Sequence, residues 1–117
     1  MIFIESCPDD IELLSFFESE PTFASVADHH FAYEATDSNG VHLIFSFHCL
    51  EGWIQAVLEL NECKISSRLS EGVKSFQIKE EINGEYLYSE ILTADTQTEV
   101  EIRLKPFISV KWNTLMR

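Results

Sequence analysis

The dipeptide Asn83-Gly84 sits between two runs that alternate apolar and polar residues, and it constrains this chain more than any other feature. A two-residue type I′ turn needs positive φ at both central positions, which Asn and Gly adopt at little cost, so the stretch from Ser75 to Leu92 reads as a β-hairpin. Turned at Asn83-Gly84, the hairpin is expected to set Ile82 opposite Glu85, Glu80 opposite Leu87, Ile78 opposite Ser89 and Phe76 opposite Ile91. One face then carries Phe76, Ile78, Ile82, Leu87 and Ile91. The other carries Gln77, Lys79, Glu81, Tyr86, Tyr88 and Glu90. Slipping one strand by a single residue would mix the two sets, so pattern and turn chemistry support one another.

The same period of two recurs along most of the chain. Phe31, Tyr33 and Ala35 alternate with Ala32, Glu34 and Thr36, and Asp37-Ser38-Asn39-Gly40 is a turn. Val41, Leu43, Phe45 and Phe47 share a face opposite His42, Ile44, Ser46 and His48, a mixed second face that places this strand centrally with both sides partly covered. Glu51-Gly52 turns the chain into Trp53–Leu60, read as a strand because the next alternating run, Cys63–Leu69, starts after only Asn61-Glu62. Thr98–Leu104 points Val100, Ile102 and Leu104 one way. Pro106 marks an edge, bend or bulge. Phe107–Trp112 then resumes with Ile108, Val110 and Trp112 on one side, ahead of a short tail, NTLMR. The N-terminal region differs. Ser6-Cys7-Pro8-Asp9 opens a helix capped by Ser6, whose first-turn acids Asp9, Asp10 and Glu12 complement the helix dipole. Ile11, Leu13, Leu14 and Phe17 follow at helical spacing with Phe16 at the margin, and the helix ends near Ser19 ahead of Pro21. A second helical turn over Thr22–Asp28 would place Phe23, Val26 and Ala27 inward. The expected fold is one α+β domain spanning residues 1–117, an N-terminal helix packed on an antiparallel β-meander of about six to eight strands.

At 117 residues and 45% hydrophobic content the chain is large and apolar enough for a core. It has no apolar run of membrane-spanning length, and MIFIES lacks the features of a signal peptide. The cysteines Cys7, Cys49 and Cys63 are odd in number and show no metal-type spacing. Free thiols in a reducing cytoplasm are the expectation. Charge is the unusual property. Of 20 Asp and Glu residues, 12 lie in residues 1–63 together with none of the 8 Lys and Arg; residues 64–117 hold the other 8 acids and all 8 bases. The N-terminal half therefore projects a negative potential that disfavours nucleic acid and anionic lipid and favours a basic partner, although acidity also serves solubility.

No catalytic or cofactor motif is present, and the chain reads as a non-enzyme. His42 and His48 share a strand face but are separated by roughly 20 Å at strand rise, too far to share an ion, and His29-His30 has no ligand spacing of a known type. Cys49 shares a face with Phe45 and Phe47 and reads as a buried, inert thiol rather than a nucleophile beside His48. Trp53 and Trp112 read as core residues. Two groups remain as candidates for binding a partner: the acids Glu18, Glu20, Asp28, Glu34 and Asp37, which have no local explanation and no base nearby in sequence, and Tyr86 and Tyr88, which stand on the polar face of the hairpin.

The acidic N-terminal half, the succession of alternating strands and the late pattern TEVEIRLKPFISVKW (residues 98–112) resemble the immunity proteins of bacterial polymorphic toxin systems, including contact-dependent growth inhibition. The resemblance rests on general character and carries over no functional residue. It implies a protein that binds a cognate toxin domain, commonly a basic nuclease, and blocks its active site or substrate surface, with no cofactor. The residues themselves leave two other readings open: a small-ligand protein with Phe45, Phe47 and Trp53 around a cavity, and a homo-oligomeric structural domain pairing near Pro106.

Overall fold

Alternating side chains make strands from residue 23 almost to the C-terminus. A computed structural model describes residues 3–117 and contains one helix and nine strands. They are α1 (Asp10–Phe17), β1 (Phe23–Ser25), β2 (His30–Thr36), β3 (Val41–His48), β4 (Trp53–Leu60), β5 (Cys63–Ser70), β6 (Gln77–Glu81), β7 (Gly84–Leu92), β8 (Thr96–Arg103) and β9 (Ser109–Met116). The strands form two antiparallel sheets, β1-β2-β3-β4-β5 and β6-β7-β8-β9, each a simple meander. The architecture is β-rich with one short helix, and the expected single meander is divided in two.

The division falls at residues 71–76. Gly72 takes φ +75, and Val73, fully buried, donates its N–H to Gly52 O at 2.9 Å. The chain then runs beside the N-terminal segment: Glu5 N–H donates to Lys74 O at 2.7 Å and Phe76 N–H to Ser6 O at 3.1 Å. Because Ile4 N–H also bonds Cys49 O at 2.8 Å, this segment is stitched to both sheets and satisfies backbone groups that would otherwise be lost at the break. The two inner faces meet across a continuous aromatic core. Phe76 contacts Phe47 and Phe45 edge-on, at ring-centroid distances of 4.9 and 5.7 Å, above fully buried Leu43, Ile54, Leu87, Val100 and Ile102.

The helix starts three residues later than the Ser6 cap would place it. Asp9 is the N-cap: its Oδ1 accepts from Glu12 N–H at 2.8 Å, and Glu12 Oε1 accepts from Asp9 N–H at 3.1 Å, a reciprocal capping box. Leu13, Phe16 and Phe17 are buried, while Ile11 and Leu14 face solvent, so the inward stripe follows i, i+3, i+4 through Phe16 rather than through Ile11. Phe17 stacks on Tyr33 of β2 at 4.8 Å and joins the helix to the five-stranded sheet. The helical turn expected over Thr22–Asp28 is instead strand β1, whose Phe23 pairs with Ala32 and Ser25 with His30; Phe23 and Val26 are exposed rather than inward. Pairing with β2 satisfies the backbone of this segment, as a single isolated turn could not. Residues 113–116, expected to be tail, continue β9 and pair with β8.

The β6–β7 hairpin exists with its register displaced by two residues. Ile78 pairs with Leu87, Lys79 with Tyr86 and Glu80 with Glu85, so the turn is Ile82-Asn83 and only Gly84 takes positive φ (113°). A shift of two preserves which residues share a face, so Leu87 and Ile91 remain in the core and Tyr86 and Tyr88 remain opposite them; Ile82, assigned inward, is fully exposed at the tip. The I′ geometry occurs instead at Asn61-Glu62, where φ is 53° and 66° and Leu60 pairs directly with Cys63. Strands β2, β3 and β4 match their sequence patterns, and β3 is central with Leu43, Phe45 and Phe47 inward.

Candidate functional site: the two outer sheet faces

With both inner faces committed to the core, the outer faces of the two sheets are open to a partner, and they differ in their rings and cations. On the four-stranded sheet two acids, Glu81 and Glu101, are paired with bases, while Glu90 and Glu99, opposite each other across β7 and β8, form no ion pair among the described residues. Arg103 bonds Glu101 through Nε at 3.2 Å and Glu81 through Nη2 at 3.3 Å, and its guanidinium lies 4.5 Å over the Tyr86 ring. Lys111 approaches the same Glu101 carboxylate at 3.6 Å, and Lys79 sits 4.2 Å over the Tyr88 ring. Tyr86 is itself buried and donates its hydroxyl to Glu81 Oε1 at 2.9 Å. That bond and burial hold its pKa above the ordinary tyrosine value. Tyr88, half-buried, reaches Glu90 Oε2 at 3.4 Å. Both candidate tyrosines thus already have partners within their own sheet.

The outer face of the five-stranded sheet is different. Among the described residues, no Lys or Arg forms an ion pair with Asp28, Glu34 or Glu51, and the partners of the last two are imidazoles, His42 at 2.6 Å and His48 at 3.8 Å. Four aromatic and imidazole rings from β1, β2, β3 and β4 adjoin there: Phe23–His30 at 4.8 Å, His30–His48 at 5.0 Å, His30–Trp53 at 5.2 Å and His48–Trp53 at 5.7 Å. The register brings these together, pairing Ser25 with His30, His30 with His48 and His48 with Trp53. Trp53 therefore lies on the outer face, on the side away from Phe45 and Phe47, so these three cannot line one cavity and Trp53 is not a core residue. Trp112 does pack against the core and donates its Nε1–H to Ser70 Oγ at 3.1 Å. At the end of the row, Trp53 Nε1–H donates to Glu51 Oε1 at 2.9 Å and Glu51 N–H donates to His48 Nδ1 at 3.1 Å. Phe3, Asp28, His48, Leu50 and Glu51 surround an open depression of about 560 Å³ beside it.

The five candidate acids do not behave alike. Glu18, the C-cap of α1, forms an ion pair with Lys105 Nζ at 2.6 Å; no base is near it in sequence, but the fold brings one from 87 residues away, so it is not left unpaired. Asp37 is a structural ligand for three backbone N–H groups. Oδ1 accepts from Asn39 and Val41, and Oδ2 accepts from Ile108 at 2.8 Å, first among the bonds that hold its pKa below the usual carboxylate value. Glu34 has its pKa lowered by hydrogen bonds from Thr22 and then His42, whose Nε2 lies 2.6 Å from Oε1 while its Nδ1 contacts Thr36 Oγ1 at 2.7 Å. Thr36, His42 and Glu34 thus have the hydrogen-bond order of a nucleophile–base–acid relay, and they clamp β2 to β3 across a solvent-facing surface. Glu20 and Asp28 are exposed; Asp28 accepts from Ser25 Oγ at 3.3 Å. The row of Phe23, His30, His48 and Trp53 was not read as a site from sequence. Its sequence signal is partial: His48 and Trp53 stand opposite the apolar faces of their strands, whereas Phe23 falls in the predicted helical turn and His30 just before the alternating run.

Among the described residues no group of three or more His, Cys, Asp or Glu is arranged to hold a metal ion. Burial pushes the Cys49 thiol up to about 12 and raises Cys7, which leaves both protonated and poorly nucleophilic at neutral pH. No helix of the described residues is long and apolar enough to cross a membrane.

These features define a small β-rich protein whose surface, rather than a cleft, carries its distinguishing chemistry. No protein-family model and no curated protein matches the chain. A solved structure does: a chain in the contact-dependent growth inhibition toxin–immunity protein complex from Klebsiella pneumoniae 342 is 41% identical, with a TM-score of 0.93, over 97% of this chain and 100% of that one. The chain belongs to the immunity proteins of contact-dependent growth inhibition systems.

Proposed function

We propose that this protein binds the toxin domain of its own growth-inhibition system, that this domain is basic and a nuclease, and that binding blocks its active site inside the cytoplasm of the producing cell. The observation that carries the reading is the joint one of family and charge: an immunity-protein fold in which residues 1–63 hold 12 acids and no Lys or Arg. A nuclease must attract polyphosphate, so its substrate surface is cationic, and an acidic inhibitor competes for that surface electrostatically. The protein acts by occupying its partner and performs no chemistry of its own.

Co-expression with the toxin domain encoded beside it tests the proposal. A stable 1:1 complex, loss of toxicity, and suppression of RNA or DNA cleavage by the purified domain are expected. A neighbouring domain that is harmless alone, or that kills without cleaving nucleic acid, would refute the partner or the nuclease assignment respectively.

A further inference from the structure

Resting on the reading that the partner is a basic toxin domain, we propose that the docking surface is the outer face of the five-stranded sheet, centred on Phe23, His30, His48 and Trp53, and that it receives an arginine of the toxin between Asp28 and Glu51. Three observations lead there. First, the two outer faces carry different cations: that of the four-stranded sheet pairs Glu81 and Glu101 with Arg103 and Lys111 and leaves Glu90 and Glu99 without such a partner, whereas among the described residues Asp28, Glu34 and Glu51 form no ion pair with Lys or Arg, and only the imidazoles of His42 and His48 approach Glu34 and Glu51. An incoming cation at Asp28, Glu34 or Glu51 would therefore displace no Lys or Arg ion pair. Second, the ring row unites four strands in one patch with exposed apolar area at its margin. Phe23 is 49% exposed, Phe3 48% and Leu50 49%, and the rim is carboxylate. Desolvable aromatics inside a polar rim are the usual anatomy of an interface hot spot. Third, the depression is lined by two carboxylates, Asp28 and Glu51, and two apolar side chains, Phe3 and Leu50, together with His48, and Glu51 is already oriented by Trp53. A guanidinium fits this combination better than an ammonium, because it bonds carboxylates through a planar fork while its stem packs on apolar surface and its face stacks on rings.

The test is the affinity of the full-length chain for its purified toxin domain, wild type against three variants, with hydrogen–deuterium exchange on the wild-type complex. Phe23→Ala and the double variant Asp28→Arg/Glu51→Arg should each weaken binding at least about 30-fold, mainly through faster dissociation. Glu90→Arg/Glu99→Arg, on the other outer face, should change it less than about threefold. Exchange protection should appear over residues 23–32 and 48–53. The altered side chains are exposed, so the variants should remain folded, and the wild-type exchange pattern does not depend on any variant. If the wild type binds tightly while the face variants bind equally well and protection lies elsewhere, the docking surface is overturned and the immunity reading stands. If the wild type does not bind its toxin at all, the underlying reading fails, and this proposal with it.

Discussion

The carboxylate of Asp37, in the β2–β3 turn, accepts a hydrogen bond from the backbone N–H of Ile108 at 2.8 Å, across 71 residues of sequence. This bond ties the five-stranded sheet to the β8–β9 connection, while the other carboxylate oxygen of Asp37 organises its own turn through Asn39 and Val41. One side chain thus shapes a loop and pins two sheets. Asp37→Ala should lower the thermal midpoint measurably, and Asp37→Asn should do so less, since an amide oxygen can still accept from Ile108. The pH dependence has a definite sign. The folded pKa of Asp37 is depressed, so its contribution is present above the unfolded carboxylate value of about 4 and is lost as pH falls through the lower folded value. Thermal melts between pH 7 and pH 2.5 check this: wild type should lose stability below about pH 4 more steeply than Asp37→Asn.

Phe76 makes the corresponding contact in the core. It lies between the sheets against Phe45 and Phe47 and is 1% exposed, although it precedes β6 rather than belonging to it. Truncating a fully buried Phe typically costs about 3–5 kcal/mol, a large share of the roughly 5–15 kcal/mol that holds a domain of this kind together. Phe76→Ala should therefore shift the urea midpoint strongly. Ile82→Ser, at the exposed hairpin tip, should change stability by no more than about 0.5 kcal/mol. An equal loss from both would mean that Ile82 is inside, as a turn at Asn83-Gly84 would have it.

That pair of residues also marks how far the sequence could be read. Face assignments were legible because side-chain direction alternates with every residue: Leu43, Phe45, Phe47, Val100 and Ile102 are all buried where the pattern puts them. Turn geometry was less legible, because both turns use Gly84 at positive φ and differ at Asn83, which is positive only in the I′ form, and a register shift of two leaves every face unchanged. The break into two sheets was hidden, since alternation within a strand does not say which strand lies beside it. Of the candidate site, the charge asymmetry was visible in composition. The pairing of Glu18 with Lys105 and the meeting of Phe23, His30, His48 and Trp53 depend on neighbours brought together by folding.

The β4–β5 turn stores strain that a single substitution should release. Asn61 tolerates the left-handed region, but Glu62 at φ 66° is a residue type that pays for its Cβ there. Glycine carries no such penalty and costs some backbone entropy in the unfolded chain, so the two effects partly offset. Glu62→Gly is expected to stabilise the protein by about 0.5–1 kcal/mol, seen as a rise in midpoint with an unchanged denaturant slope. A fall in midpoint would show that Glu62 makes a contact worth more than the strain.

Charge reversal should slow association only where it leaves the fold untouched, and Glu20 is the cleanest place to look for that. Glu18→Lys would also break the exposed pair with Lys105, worth about 0–1 kcal/mol at most, and Glu34→Lys would break the contact with His42. Glu20 is exposed, and among the described residues it forms no ion pair, so Glu20→Lys changes the field with little change in packing. If the acidic half steers a basic toxin domain, stopped-flow mixing at low salt should show association slowed several-fold with dissociation nearly unchanged. The difference should vanish near 1 M salt, where the Debye length falls to about 3 Å. An association rate indifferent to both Glu20→Lys and salt would mean that the acids of the N-terminal half do not steer the encounter and that their abundance serves solubility.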